Sequence, residues 1–162
     1  MGMEGYFFSV AVNSSLTASE IKDFIEHQFE VHPYLMPSGK LFKRHIVDES
    51  RFTIDNKAVA EIATSENVAK ITFELCFSNY ESNVTYIFNV SKKISSLGSV
   101  SSLIILNSQY DFNVLELDEF RHILKQSHKE KLNNFNEKYG KLNIDILPQD
   151  FYNRVRRLKV KH

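Results

Sequence analysis

Hydrophobic and polar residues alternate along several short stretches of the chain, and this alternation predicts β-strands. Residues 6–12 and residues 69–77 place apolar side chains at every second position. Residues 84–90 repeat the pattern, and the polar residues 78–83 favour a turn, so an antiparallel hairpin is predicted here. Further strands are predicted at 41–47, 51–54, 103–106, 110–116 and 142–147, with Asp48-Glu49-Ser50 as the turn between the first two.

A local capping signal marks the first predicted helix. Thr17 is suited to the N-cap, and Glu20 three residues later completes a capping box. Because Pro33 disfavours helical geometry in the residue before it, the helix is predicted to end near Val31. Residues 33–40 contain two prolines and a glycine and are predicted to be a loop. Apolar residues recur along the helix at Ile21, Phe24, Ile25 and Phe29.

A second long helix is predicted to begin at the N-cap Asp118 and to end at Gly140. Its apolar stripe consists of Phe120, Ile123, Leu124, Leu132 and Phe135. Residues 57–64 are predicted as a short helix, and a last short helix begins near Gln149. Strands follow one another in the middle of the chain, which predicts an α+β fold: a largely antiparallel sheet packed by two main helices and a short C-terminal helix. Residues 1–162 are expected to form a single domain.

Composition excludes several classes of protein. Hydrophobic residues make up 43% of the 162 residues, which is typical of a folded domain and not of a disordered chain. The formal net charge is zero, which argues against a protein that coats nucleic acid. The single cysteine, Cys76, cannot form an internal disulfide. Without an apparent signal peptide or membrane-spanning stretch, the expected location is the cytoplasm, with no membrane partner.

Charge is unevenly distributed along the chain. Residues 1–81 carry 7 basic and 12 acidic residues, whereas residues 82–162 carry 13 basic and 8 acidic residues. This polarity predicts an acidic surface that meets a basic partner, a basic surface that meets an acidic partner, or simply two solvated surfaces that differ. The basic C-terminal segment, 154–161, is interpreted as a solubilising tail. The predicted partner-binding residues are Asp23, Glu26, His27, Glu30, Asp48 and Glu49.

The chain carries no recognisable catalytic, metal-binding or cofactor motif. Its six histidines include no His-Glu-x-x-His pair, and five glycines leave little material for a phosphate-binding loop. Asp23 and His27 lie four residues apart, a spacing that suits a general-base pair but more often marks an ordinary surface contact. Cys76 alternates with apolar residues and is interpreted as a core residue. We therefore expect a non-enzymatic protein without cofactor or metal.

In size, in its Lys/Asn/Ile/Phe-rich composition and in the acidic residues Asp23, Glu26 and Glu30, the chain resembles bacterial immunity proteins of contact-dependent growth inhibition systems. The resemblance is one of class and covers no motif. It implies a protein partner, such as a nuclease-type toxin domain, whose active site or substrate face is masked. One alternative is a secretion chaperone or another small partner-binding adaptor. A second alternative is an enzyme with dispersed catalytic residues.

Overall fold

The computed structural model describes residues 5–38, 44–55, 57–76, 80–106 and 108–139, which form one antiparallel sheet of seven strands with three helices. This arrangement confirms the predicted α+β class with a largely antiparallel sheet. The elements are β1 (Gly5–Asn13), α1 (Ala18–Gln28), β2 (Val31–Ser38), β3 (Arg44–Ile54), β4 (Ala58–Ser65), β5 (Val68–Cys76), α2 (Tyr80–Ser95), β6 (Ser101–Ile105), β7 (Ser108–Asp111) and α3 (Leu117–Tyr139).

The first strand of the chain lies inside the sheet. The strand order is β2-β3-β4-β5-β1-β6-β7, so β1 pairs with β5 on one side and with β6 on the other. Strands β2 to β5 form a meander in which each strand pairs with its neighbour in sequence. Strands β2 and β7 are the two edges of the sheet among the described residues.

One side of the sheet, here called the first face, carries the hydrophobic core. Phe52, Ala60, Phe73 and Phe8 lie side by side across four strands, and each is at most 3% exposed. The Phe8 ring stacks on that of Phe73 at 5.3 Å and meets Phe120 of α3 edge-on at 5.9 Å. Aromatic packing of this kind ties the sheet to α3, because each ring buries a large apolar area. The opposite side of the sheet is called the second face.

The helices pack on the sheet through small or apolar residues. Helix α1 lies on β4, and Ala58 and Ala60 of the strand belong to the same buried cluster as Ile21 and Ile25 of the helix. Helix α2 contacts both β1 and α3. Just after α2, Gly98 lies so close to Asn13 and Val12 that a Cβ atom would overlap them. The end of α2 and the end of β1 are therefore held in direct contact.

Local signals placed α1 and α3 correctly. The Thr17 hydroxyl accepts a hydrogen bond from the Glu20 backbone N–H, and the Glu20 carboxylate accepts one from the Thr17 backbone N–H, so the predicted capping box is confirmed. Helix α1 ends at Gln28, somewhat before the predicted Val31. Helix α3 begins at Leu117, one residue before the predicted cap Asp118. The predicted strands at 6–12, 69–77 and 103–106 correspond to β1, β5 and β6.

The predicted hairpin strand at 84–90 is wrong, because these residues belong to α2. Alternation at 84, 86, 88 and 90 coincides with a second pattern of helical spacing. Val84, Ile87, Ser91 and Ile94 are all buried, and this three- and four-residue spacing defines the core side of the helix. The segment is buried against β1 and α3, and this burial favours the helix. A local sequence pattern does not encode such distant contacts.

Three further predictions in the first half of the chain are wrong. The predicted loop at 33–40 includes β2, which tolerates Pro33 and Pro37 because it is an edge strand. The predicted helix at 57–64 is β4, whose buried residues pack between β3 and β5. The predicted turn at Asp48-Glu49-Ser50 lies within β3.

Of the strand predicted at 110–116, only the first two residues belong to β7. The predicted strand at 142–147 and the predicted C-terminal helix lie outside the described residues.

Candidate functional site

The outward side of α1 presents three of the predicted binding residues to solvent. Asp23, Glu26 and His27 are exposed, whereas Ile21 and Ile25 on the opposite side of the helix are buried in the core. Because the buried side fixes the rotation of the helix, the polar side chains face outward as the sequence pattern predicts. This side of α1, together with Glu30 just beyond its end, is called the acidic surface.

Glu26 and His27 of the acidic surface make contacts within α1 itself. The Lys22 Nζ atom lies 3.8 Å from Glu26 Oε1, and both side chains are largely exposed. Exposed pairs of this kind contribute at most about 1 kcal/mol. The His27 Nδ1 atom lies 2.6 Å from the backbone oxygen of Asp23, not from its carboxylate. The Asp23 side chain therefore does not orient the His27 ring as a general base would require.

Asp55 holds the end of α1 in place. Its Oδ1 atom accepts a 2.7 Å hydrogen bond from the Glu30 backbone N–H, and its own backbone N–H donates to the Glu30 oxygen. Its Oδ2 atom accepts a 2.6 Å bond from the Tyr86 hydroxyl. Asp55 adopts a left-handed backbone conformation with φ 46°, which aspartate tolerates better than most residues. The turn after β3 thereby links α1 to α2.

Tyr86 remains a hydrogen-bond donor in this network. Burial raises the pKa of its hydroxyl well above the usual value, and the hydrogen bond to Asp55 and the charge of Asp55 raise the pKa further. The proton therefore stays on the phenol throughout the physiological range, where it binds the Asp55 carboxylate. This contact fixes the position of Glu30 at the end of the acidic surface.

A row of lysines and aromatic rings borders the acidic surface on the α2 side. The Lys57 Nζ atom lies 4.4 Å from the centre of the Tyr86 ring, and Lys93 Nζ lies 5.0 Å from that of Phe29. The Phe29 and Tyr86 rings meet edge-on at 6.4 Å. Next to this row, Glu30 Oε1 lies 2.6 Å from His32 Nε2. The acidic surface thus ends where cationic side chains begin.

Asp48 and Glu49, the other two predicted binding residues, lie in β3. Pro33 of β2 pairs with Phe52, but the next residue, Tyr34, pairs with Asp48, so Glu49 and the two residues after it form a bulge. β2 leads directly from the acidic surface to this point: four residues, or about 13 Å of extended chain, separate Glu30 from Tyr34. The backbone of Asp48 therefore lies opposite Tyr34, four residues along β2 from Glu30, while the side chains of Asp48 and Glu49 are outside the described residues.

A second charged cluster, on the second face, has no counterpart in the sequence analysis. Burial raises the pKa of Glu74, and the charges of Arg51 and Lys131 act in the opposite direction. Burial lowers the pKa of Lys131, whose Nζ atom lies 5.0 Å from the centre of the Phe7 ring. Phe7 and Glu74 are direct cross-strand partners. The four residues come from β1, β3, β5 and α3, so no local motif could have revealed them.

Neither grouped metal ligands, nor a membrane-spanning helix, nor similarity to known proteins adds a further site within the described residues. Among the residues that the structure describes, no three His, Cys, Asp or Glu side chains are grouped to hold a metal ion. No helix within the described ranges is long and apolar enough to cross a membrane. Comparison with protein-family models, with curated proteins and with solved structures gave no match. The side chain of Cys76 and the basic segment 154–161 are outside the described residues.

Proposed function

We propose that this protein is a cytoplasmic immunity-type protein, which binds a cognate toxin domain through the acidic surface and masks the toxin's active site or substrate face. The observation that carries the proposal is the row of Asp23, Glu26 and Glu30, whose side chains all face solvent. A row of carboxylates suits a basic partner surface, because complementary charge accelerates encounter and fixes orientation. Toxins that cleave nucleic acid have such surfaces, since their substrates are polyanions.

The acidic surface is suited to binding because its backbone is already ordered. The capping box at Thr17 fixes the beginning of α1, and Asp55 fixes the position of Glu30 after its end. An ordered surface loses less conformational entropy when it binds, which leaves more of the contact energy for affinity. The carboxylates would therefore reach a partner as a preformed group.

The existing ion pair of Glu26 is easy to replace. The Lys22–Glu26 pair is long and exposed, whereas Glu30 keeps a 2.6 Å contact with His32. A partner's lysine or arginine side chains can substitute for the Lys22–Glu26 pair at small cost, because exposed ion pairs contribute little stability. This supports a surface whose charge is available to a partner.

The proposal is tested by capturing partners from the source organism with the tagged full-length chain. The binding variant carries Asp23→Asn, Glu26→Gln and Glu30→Gln. The matched control carries Glu119→Gln, Glu130→Gln and Glu137→Gln, three exposed α3 residues, and so changes the net charge equally. We expect one stoichiometric partner that the wild type and the control retain and the binding variant loses. Retention should weaken between about 0.1 M and 1 M salt, because screening shortens from about 10 Å to about 3 Å.

A growth assay then separates immunity from other kinds of binding. The captured domain is expressed in a test strain together with the wild type, the binding variant or the control. We expect growth with the wild type and the control, and growth arrest with the binding variant. Capture that is equal for the two variants would refute the acidic surface as the interface. A partner that does not arrest growth on its own would refute the immunity function while leaving the surface in place.

A further inference from the structure

Two lysines beside the acidic surface carry charge that the described residues do not neutralise. Lys57, just before β4, and Lys93 of α2 are both exposed. Their Nζ atoms lie 4.4 and 5.0 Å from the centres of the Tyr86 and Phe29 rings. Within the described ranges, neither ammonium group forms an ion pair or a hydrogen bond. Lys57 and Lys93 are here called the lysine pair.

The rings that position the lysine pair are themselves anchored. Phe29 and Tyr86 meet edge-on at 6.4 Å, and the Tyr86 hydroxyl donates a 2.6 Å hydrogen bond to Asp55. A ring attracts an ammonium group over one of its faces, and the group carries three N–H donors. The donors that point away from the ring can therefore bind a partner. The neighbouring Lys92 differs, because its Nζ atom donates to a backbone oxygen and so contributes to the fold.

Opposite charges adjoin at this place without neutralising each other. Phe29, whose ring lies under Lys93, is followed directly by Glu30, the last residue of the acidic surface. The Glu30 carboxylate contacts His32 at 2.6 Å rather than the lysine pair. The protein thus presents a negative and a positive region side by side. Such a surface fits a partner with the two charges in the matching order, which fixes the orientation of binding.

The order of charges favours a protein over a nucleic acid as the partner of the lysine pair. A nucleic-acid backbone bound there would lie beside the acidic surface, and like charges repel over about 10 Å at 0.1 M salt. A protein surface can carry both signs. A nuclease that uses a divalent cation does so by necessity: carboxylates hold the cation, and basic side chains beside them bind the phosphates of the substrate.

We propose that Lys57 and Lys93 pair with the metal-holding carboxylates of a nuclease-type toxin domain, while the acidic surface covers the basic substrate face beside them. This pairing rests on the function proposed above and deepens it, because it specifies which group of the toxin is masked. A lysine ammonium is a compact point charge, so the two groups take the place of the cation. Binding of this protein and binding of metal then oppose each other, each lowering the affinity for the other by the same factor.

Calorimetric titration of the captured toxin domain, purified without metal, with the full-length chain tests the pairing. The lysine variant carries Lys57→Gln and Lys93→Gln. The matched control carries Lys125→Gln and Lys129→Gln, two exposed lysines of α3, and so changes the net charge equally. We expect the lysine variant to bind about 10- to 100-fold more weakly than the wild type, because two charge-assisted contacts are lost. The control should bind as the wild type does.

Repeating the titration with saturating Mg²⁺ at constant ionic strength tests the assignment to the metal site. The wild type should bind the metal-loaded domain more weakly than the metal-free domain. The lysine variant should respond much less to Mg²⁺, because it no longer competes with the cation. Constant ionic strength separates this competition from general screening. A wild-type affinity that Mg²⁺ leaves unchanged would overturn the metal-site assignment.

The remaining outcomes distinguish this pairing from the function on which it rests. Equal affinities of the lysine variant and its control, with the acidic surface still required, would overturn the pairing and leave the proposed function in place. Capture of no toxin domain would overturn both. A fluorescent single-stranded oligonucleotide that binds the wild type, but not the lysine variant, would assign the lysine pair to nucleic acid and overturn the pairing with carboxylates.

Discussion

The two faces of the sheet are built from alternate residues of the same strands, yet different interactions dominate them. On the first face, Phe52, Ala60, Phe73 and Phe8 form an apolar row under the helices. The neighbouring row on the second face consists of Thr53, Val59, Glu74 and Phe7, with Lys131 over the last ring. A shift of one residue along each strand thus changes the environment from apolar to mixed and charged.

This difference assigns separate roles to the two faces. Burial of apolar area contributes about 25 cal/mol per Å², so the first face dominates the free energy of folding. Polar pairs on the second face exchange contacts with water for contacts with protein, and each adds about 1 kcal/mol or less. We therefore expect substitutions on the first face to change stability strongly. Substitutions on the second face should change the free energy of unfolding only modestly, and they should also change how that free energy depends on pH.

The largest expected effect is that of Phe73→Ala on the first face. It removes a fully buried ring that stacks on Phe8, and it should lower the free energy of unfolding by about 3–5 kcal/mol. Denaturant unfolding measures the change. Thr72→Ala, one residue along the same strand and facing the second face, is the control and should cost much less. Similar losses at the two positions would contradict the distinction between the faces.

Next in size is Tyr86→Phe, which tests the polar contact between α2 and the turn after β3. The variant keeps the ring and removes the hydroxyl that donates to Asp55. A hydrogen bond to a charged group is worth about 1.5–3 kcal/mol, so the loss in unfolding free energy should lie in this range. If Asp55→Asn already abolishes the contribution of this hydrogen bond, adding Tyr86→Phe should lower the free energy of unfolding little further. Additive losses in the double variant would show that the two side chains act independently.

Two buried serines should respond to alanine with opposite signs. The Ser91 hydroxyl is fully buried in α2 and has no hydrogen-bond partner among the described residues, so Ser91→Ala should raise the unfolding free energy by about 1 kcal/mol. The Ser9 hydroxyl on the second face lies 2.9 Å from that of Thr72, so Ser9→Ala should lower it by about 1 kcal/mol. Thermal or denaturant unfolding of the two variants gives the comparison. Changes in unfolding free energy of the same sign for the two variants would contradict the hydrogen-bond partners assigned to the two hydroxyls.

The smallest effect concerns Glu74. Because burial raises its pKa, the protonated form is favoured in the folded state. Its contribution to stability is fully present below its pKa in the unfolded chain and is lost as the pH rises through the higher folded pKa. Glu74→Gln should therefore gain stability relative to the wild type between acid and neutral pH, by less than about 1 kcal/mol because the site is partly solvated.

Unfolding of the wild type and of Glu74→Gln across this pH range measures the difference. Glu61→Gln removes the same charge from an exposed position of the second face and serves as the control. A constant difference between wild type and Glu74→Gln over the whole range would show that the carboxyl is fully solvated.

The elements that could be predicted from sequence are those that local chemistry determines. The Thr17–Glu20 capping box needs only four residues, and α1 begins where it predicts. Residues 84–90 satisfy both a strand pattern and a helical pattern, and only their burial against distant residues selects the helix. Likewise, Pro33 is compatible with a strand because β2 is an edge, and the position of a strand in the sheet is a property of the whole fold.

The same distinction applies to the candidate site. The exposure of Asp23 and Glu26 followed from helical spacing, because the apolar side of α1 is continuous. The contact of Asp55 with Glu30 and Tyr86 joins residues that lie 25 and 31 positions away in sequence. No local pattern marks such a contact, since Asp55 only acquires its partners when β3 and β4 have placed the turn beside α2.

The central position of β1 has a consequence for the order of events during synthesis. β1 leaves the ribosome before the other described strands. Its partner residues on β5 begin at Val68, and its partner residues on β6 end at Ile104, about 90 residues after Val10. At about 5–20 residues per second, several seconds pass before both neighbouring strands exist. An apolar strand, with Phe8 and Val10 in it, therefore has neither partner until β5 is made, and only one until β6 follows. Until both neighbours are made, an edge of β1 is open to pairing with other extended segments, so correct folding competes with aggregation at this strand.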